Sequence, residues 1–103
     1  MRQGRNYFGD LDEHGFLILS QFRRSFMHVR SFCMDEAALR RFDDFRGPGK
    51  TIPDETVKEK VLPFLTEEEG RVFSRLQEDP SRNRLEQERI TQAYIARRLE
   101  EIC

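Results

Sequence analysis

Leu19, Phe22, Phe26, Val29 and Cys33 recur at steps of three, four, three and four residues. That rhythm returns to one side of an α-helix and predicts an amphipathic helix sustained over four turns from Phe16. Composition alone would also fit a strand over Phe16 to Phe22, but the longer period favours helix. Arg23, Arg24 and Arg30 fall off the stripe, toward solvent.

Capping and breaking residues divide the chain beyond this stripe. Asp35 is placed to cap a second helix with Leu39, Phe42 and Phe45 on one side. "RGPG" (46–49) ends it, glycine taking the left-handed position and proline blocking continuation. In "TIPDETVKEKVL", Thr51 and Asp54 have capping-box spacing, Pro53 suits a first turn, and Pro63 stops the helix. Thr66 and Glu69 repeat the box ahead of Val72, Phe73 and Leu76, and Asp79–Pro80 ends that helix. Ser81 or Asn83 opens a last helix that runs to about Ile102. The expected fold is all-α: a small bundle of about five helices behind an extended N-terminal arm, Met1 to Gly9. It is either one helical domain over 1–103 or a two-helix and a three-helix half joined by a hinge at 46–50.

Composition narrows the function. With 103 residues the chain suits one domain with a small core. Charged residues make up 36%, but nine phenylalanines argue against disorder. A net charge of −1 gives no bulk attraction to nucleic acid or anionic lipid. Fifteen of the eighteen basic residues are arginine, which reads either as a contact surface or as solvated helix faces. Cys33 and Cys103 lack metal or redox spacing and fit a reducing, intracellular compartment, cytoplasmic or mitochondrial alike. The longest apolar run, Phe16 to Leu19, is far too short to insert in a membrane.

"DLDEHGFLILSQF" (10–22) resembles the calcium loop of EF-hand proteins. Asp10 and Asp12 stand at loop positions one and three, Gly15 at six and Leu17 at eight, with Phe22 starting an aromatic outgoing helix. The resemblance implies a regulatory module. His14 at position five and Gln21 at twelve depart from the pattern and remove much of the ligand charge, so the implied loop is calcium-free. Asp10, Asp12 and His14 are the metal candidates, but three ligands in one loop make no site without a fourth. No metal or other cofactor is expected.

Enzyme motifs are absent from the sequence: there is no nucleophile elbow, phosphate-binding glycine loop or HExxH. "QFRRSFMHVRSF" (21–32) interleaves arginine with aromatics, as RNA-stacking surfaces do, yet a helix separates the two onto different sides. The sequence therefore reads as a non-catalytic helical interaction module, an adaptor or accessory subunit of a larger complex. The alternatives are the EF-hand-like module and an RNA-binding accessory protein. The terminal helix supplies the expected protein interface. On a wheel over 85–102, Leu85, Ile95, Ala96, Leu99 and Ile102 share one face. Ile90 and Tyr94 fall nearly opposite as anchors for a partner, with Arg89, Arg97 and Arg98 as a polar rim.

Overall fold

The computed structural model describes residues 6–26 and 28–102. Of the extended arm, 1–5 lie outside the described residues, and Asn6–Tyr7 form a short strand, β1. Helix α1 spans Glu13–Ser25, and a second strand, β2, spans Arg30–Ser31. The two strands pair in parallel, Asn6 opposite Arg30 and Tyr7 opposite Ser31. Parallel neighbours need a crossover, and α1 supplies it, so this N-terminal segment forms a miniature strand–helix–strand unit. Beyond it, the described residues form α2 (Glu36–Arg41), α3 (Asp54–Thr56), α4 (Glu67–Glu78) and α5 (Gln92–Ile102). Helix is thus the dominant class, as the capping pattern predicts.

The first helix stops earlier than its stripe. Phe26 is already extended (φ −134°), and Val29 and Cys33 are buried from a turn and from the residues beyond β2. The helical face toward the core is Phe16, Leu19 and Ser20, which turns Phe22 outward at 43% exposure. Arg23 then points inward instead of to solvent. Its guanidinium donates to the Val29 and Phe64 carbonyls and makes a bidentate pair with Glu69. These bonds tie together α1, the turn into β2 and α4, which explains how the chain leaves the helix while the apolar spacing persists.

Glu69 is the hub of that arrangement. Its carboxylate accepts from the Thr66 amide (2.9 Å), while the Thr66 hydroxyl accepts from the Glu69 amide (3.2 Å), completing the box that starts α4. Ser31 Oγ donates to the same carboxylate. Burial opposes the charge on Glu69, but the bonds from Arg23, Ser31 and Thr66 outweigh it and hold the carboxyl below its ordinary range.

Other elements depart from the sequence expectation in identifiable ways. Thr51 caps nothing: α3 begins after Pro53 with no side-chain cap, continues as a π-turn over Val57–Val61, and ends in a 3-10 turn, Leu62–Phe64, that contains Pro63. No described glycine has positive φ; the only described residue of any other type that does is Cys33, at 58°. Gly47 does not cap α2, because its backbone pairs with that of Arg84, at 2.9 Å in each direction. Hydrogen bonds tie the 46–50 segment and its neighbour Ile52 to distant residues. The Gly49 amide donates to Asn83 Oδ1 (2.6 Å) and the Ile52 amide to Glu13 Oε1 (2.9 Å). One core cluster draws residues from both sides of it, from Leu11 to Ile90.

The last helix starts at Gln92, about ten residues later than its periodicity suggests. Leu85 is taken up in a bridge with Leu11 (2.8 and 2.9 Å), and Gln87–Arg89 form a 3-10 turn. α5 docks through Arg98, which pairs with Asp35, the cap of α2, and through Tyr94, edge-on to Phe42 at 5.1 Å.

Removing the Glu69 carboxylate should leave Arg23 charged and partly buried. Glu69→Ala is expected to cost about 3 kcal/mol or more, read as a lower urea midpoint. Because the folded carboxyl is depressed, its contribution is complete above the unfolded value of about 4.3 and fades as pH falls through the folded one. Wild-type stability should therefore drop on acidification below about pH 4.3, and Glu69→Gln should flatten that limb.

Candidate functional site

β1 ends at Tyr7, and the cap of α1 is Asp12, so the short connection puts Asp10 and Asp12 at the carboxyl end of a parallel strand. That is where open α/β units place their ligand sites. Asp12 Oδ1 accepts from the Gly15 amide at 2.6 Å. Gly15 is required here: a Cβ would collide with the Asp10 carbonyl oxygen. Asp10 is fixed from the far end of the chain. Its Oδ1 accepts from the Gln87 amide (2.8 Å) and its Oδ2 from Arg84 Nη2 (2.9 Å). Arg84 Nε also stands 3.5 Å from Asp12 Oδ2.

Around the two carboxylates opens a cleft of about 560 Å³ lined by Tyr7, Phe8, Gly9, Asp10, Asp12, His14, Gly15, Ile18, Lys50, Arg84 and Gln87. Burial, and then the charge of Asp10, push the Asp12 carboxyl above its ordinary value despite the Gly15 bond, Arg84 and His14. Burial and the two aspartates likewise raise the Tyr7 phenol. Of the residues that line the cleft, Gln87 and Arg84 each carry a buried polar atom without a hydrogen-bond partner, Gln87 Oε1 and Arg84 Nε. The two carboxylates and the amide oxygen are hard donors, the type that suits magnesium, manganese or calcium rather than zinc. His14 is exposed on the rim with Lys50. Among the described residues no three His, Cys, Asp or Glu converge on one point.

The expected protein interface is not assembled. Ile90 lies in the core at 3% exposure, ahead of α5 and not on its outer side. Tyr94 is half-buried against Phe42, and Arg98 is spent on Asp35 and the Tyr94 hydroxyl. Arg89 lies over Phe45 at 5.6 Å, and Arg97 is exposed. The wheel fails because it extends a helix across residues 85 to 91 that are bridge and 3-10 turn. Cys33 is core, as its place in the apolar pattern suggests, and burial raises its thiol to about 11, too high for a nucleophile.

Sequence reasoning also missed Lys50, Arg84 and Gln87. Nothing local marks them; Arg84 and Gln87 reach Asp10 across 74 and 77 residues.

A family model described as "Wadjet protein JetD, C-terminal" matches residues 3–99. The chain belongs to this family. The match replaces the EF-hand resemblance, and the geometry says why that resemblance arose: residues 13–21, most of the supposed calcium loop, lie within α1, and Asp12 is a helix cap after a strand. No curated protein sequence matches the chain. No helix among the described residues of this JetD-family chain is long and apolar enough to cross a membrane.

Asp12→Asn should separate the cap from the charge. Asparagine caps as well as aspartate and removes the repulsion from Asp10. A raised carboxyl contributes stability only below its unfolded value and loses it as pH rises through the folded one, so ionised Asp12 weakens the fold at neutral pH. Thermal melts should show Asp12→Asn with a higher Tm than wild type at about pH 7, the gap closing as Asp12 protonates toward about pH 4.

Proposed function

We propose that this JetD-family chain carries a divalent-cation site, built on Asp10, Asp12 and Gln87 Oε1, that acts on a phosphate-bearing substrate. The observation that carries the reading is a cleft lined by two carboxylates held at a strand end and by Gln87, whose side-chain oxygen has no hydrogen-bond partner. A hard cation would satisfy that oxygen and relieve the crowding that raises Asp12. Arg84 now neutralises Asp10 from a side chain 39% exposed, a counter-ion that a cation can displace. Once displaced, its guanidinium joins Lys50 and His14 at the rim, a basic border suited to phosphate oxygens. A bound cation supplies Lewis-acid polarisation of a phosphoryl oxygen; the chain's own residues hold it, orient it and admit the anion beside it. The JetD-family chain would then have a chemical site of its own, and not only the surface of an interaction module.

Calorimetric titration of the intact protein with magnesium and with manganese should give saturable binding. Asp10→Asn should abolish it, and Gln87→Leu should weaken it by about tenfold, on the scale of one lost ligand contact. Equal heats for wild type and Asp10→Asn would remove the reading.

We also infer that the chain works against another protein, as part of the Wadjet assembly that its family's description names. Support comes from α1 rather than α5. Ile18 and Phe22, one helical turn apart, are 40% and 43% exposed, and Phe22 stacks at a tilt on Tyr7 (5.6 Å) to widen the apolar surface. Ile18→Ser with Phe22→Ser should leave the melt near wild type and reduce copurification with other Wadjet proteins; unchanged copurification would refute it.

A further inference from the structure

A second charged hollow lies between α2 and α4, sharing no residue with the Asp10–Asp12 cleft. Its volume is about 280 Å³, and Glu36, Leu39, Arg40, Asp43, Arg46 and Arg75 line it. Its acids are already occupied. Glu36 is bound by Arg71 (3.3 Å). Asp43 is bound by both Arg46 (2.9 Å) and Arg82 (2.8 Å), which hold its carboxyl below the usual range. Arg46 is further fixed by the Arg82 carbonyl at 2.9 Å. Arg71 reaches one more acid, the exposed Glu67, at 3.9 Å.

Arg46, Arg71 and Arg82 thus hold the hollow's two carboxylates, Glu36 and Asp43. Arg40 and Arg75 are the two left over: neither has an ion-pair partner among the described residues. They rise from neighbouring helices into one concave space whose floor is the buried Leu39. Neither of the hollow's own acids, Glu36 and Asp43, can turn to neutralise them without abandoning an arginine.

We propose that this hollow is an anion site in which Arg40 and Arg75 together bind a phosphate group. Two unspent guanidiniums lining one hollow match a doubly charged ligand, and their planar forks suit phosphate oxygens better than a lone point charge would. Arg46, locked by Asp43 and the Arg82 carbonyl, sets the shape of the wall without lending its charge.

Binding is measured on the intact protein with EDTA present, so that no divalent metal loads the other cleft. Two probes are used: inorganic phosphate by calorimetry, and a short fluorescent single-stranded oligonucleotide by anisotropy. Arg40→Gln and Arg75→Gln, both at exposed positions, should each weaken binding by about tenfold, the size of a lost charge-assisted bond. Arg97→Gln, an exposed arginine of α5, should stay within about twofold. Loss against both probes assigns the site to a free phosphate group, and loss against the oligonucleotide alone assigns it to a phosphodiester backbone. Absence of binding to either probe, or an equal loss in Arg97→Gln, overturns the proposal.

Discussion

The carboxylate of Glu69 holds three segments that the chain order keeps apart. It closes the cap of α4, neutralises Arg23 on α1 and receives Ser31 from β2. A buried charge with this many donors is costly to break, since each loosened partner leaves another polar group stranded. The consequence reaches the Asp10–Asp12 cleft. α1 is fixed at its C-terminal end by Arg23 and at its N-terminal end by the Asp12 cap, so the strand-end turn between β1 and α1 has little freedom.

The cleft depends equally on residues from the far end of the chain. The segment carrying Arg84 and Leu85 threads between two loops, pairing with Gly47 on one side and Leu11 on the other. That placement brings the Arg84 guanidinium and the Gln87 amide onto Asp10. Two strands of two residues each make a poor sheet by themselves. Cross-chain bridges and side-chain bonds, not strand length, keep the site in shape.

What the sequence made legible was local. The Thr66–Glu69 box, the Asp35 cap and the Asp79–Pro80 stop act within one helical turn, and all three stand in the structure where their chemistry places them. Illegible were the features decided by distant partners. Val29 and Cys33 keep helical spacing yet are buried from a turn and a positive-φ position, because Arg23 captures the Val29 carbonyl and ends the helix. Ile90 keeps a helical spacing with Tyr94, yet Leu85 has already been recruited to Leu11. Asp10, Asp12 and His14 could be picked out as candidates, but Gln87 and Arg84, which decide what the aspartates can do, carry no local mark. Gly15 stands out in the sequence as the residue that permits a loop turn; it matters instead because helix and strand end approach too closely for a Cβ.

The arginine excess finds an answer that neither a contact surface nor solvation covers alone. Arg23, Arg46, Arg84 and Arg98 each bind a carboxylate or a backbone carbonyl drawn from elsewhere in the fold. The fork of a guanidinium lets one side chain hold two such groups at once, as Arg98 does with Asp35 and Tyr94. A small core is thereby supplemented by polar cross-links. Once those are assigned, Arg40 and Arg75 are notable for their place: both line one hollow, and its two acids, Glu36 and Asp43, are held by other arginines. Two charges that line one hollow differ from a lone charge on a convex face, because an entering anion meets both groups together. On that ground the hollow between α2 and α4 is the place to look for an anion, and Arg97 of α5, which is also exposed but lines no such hollow, is the control.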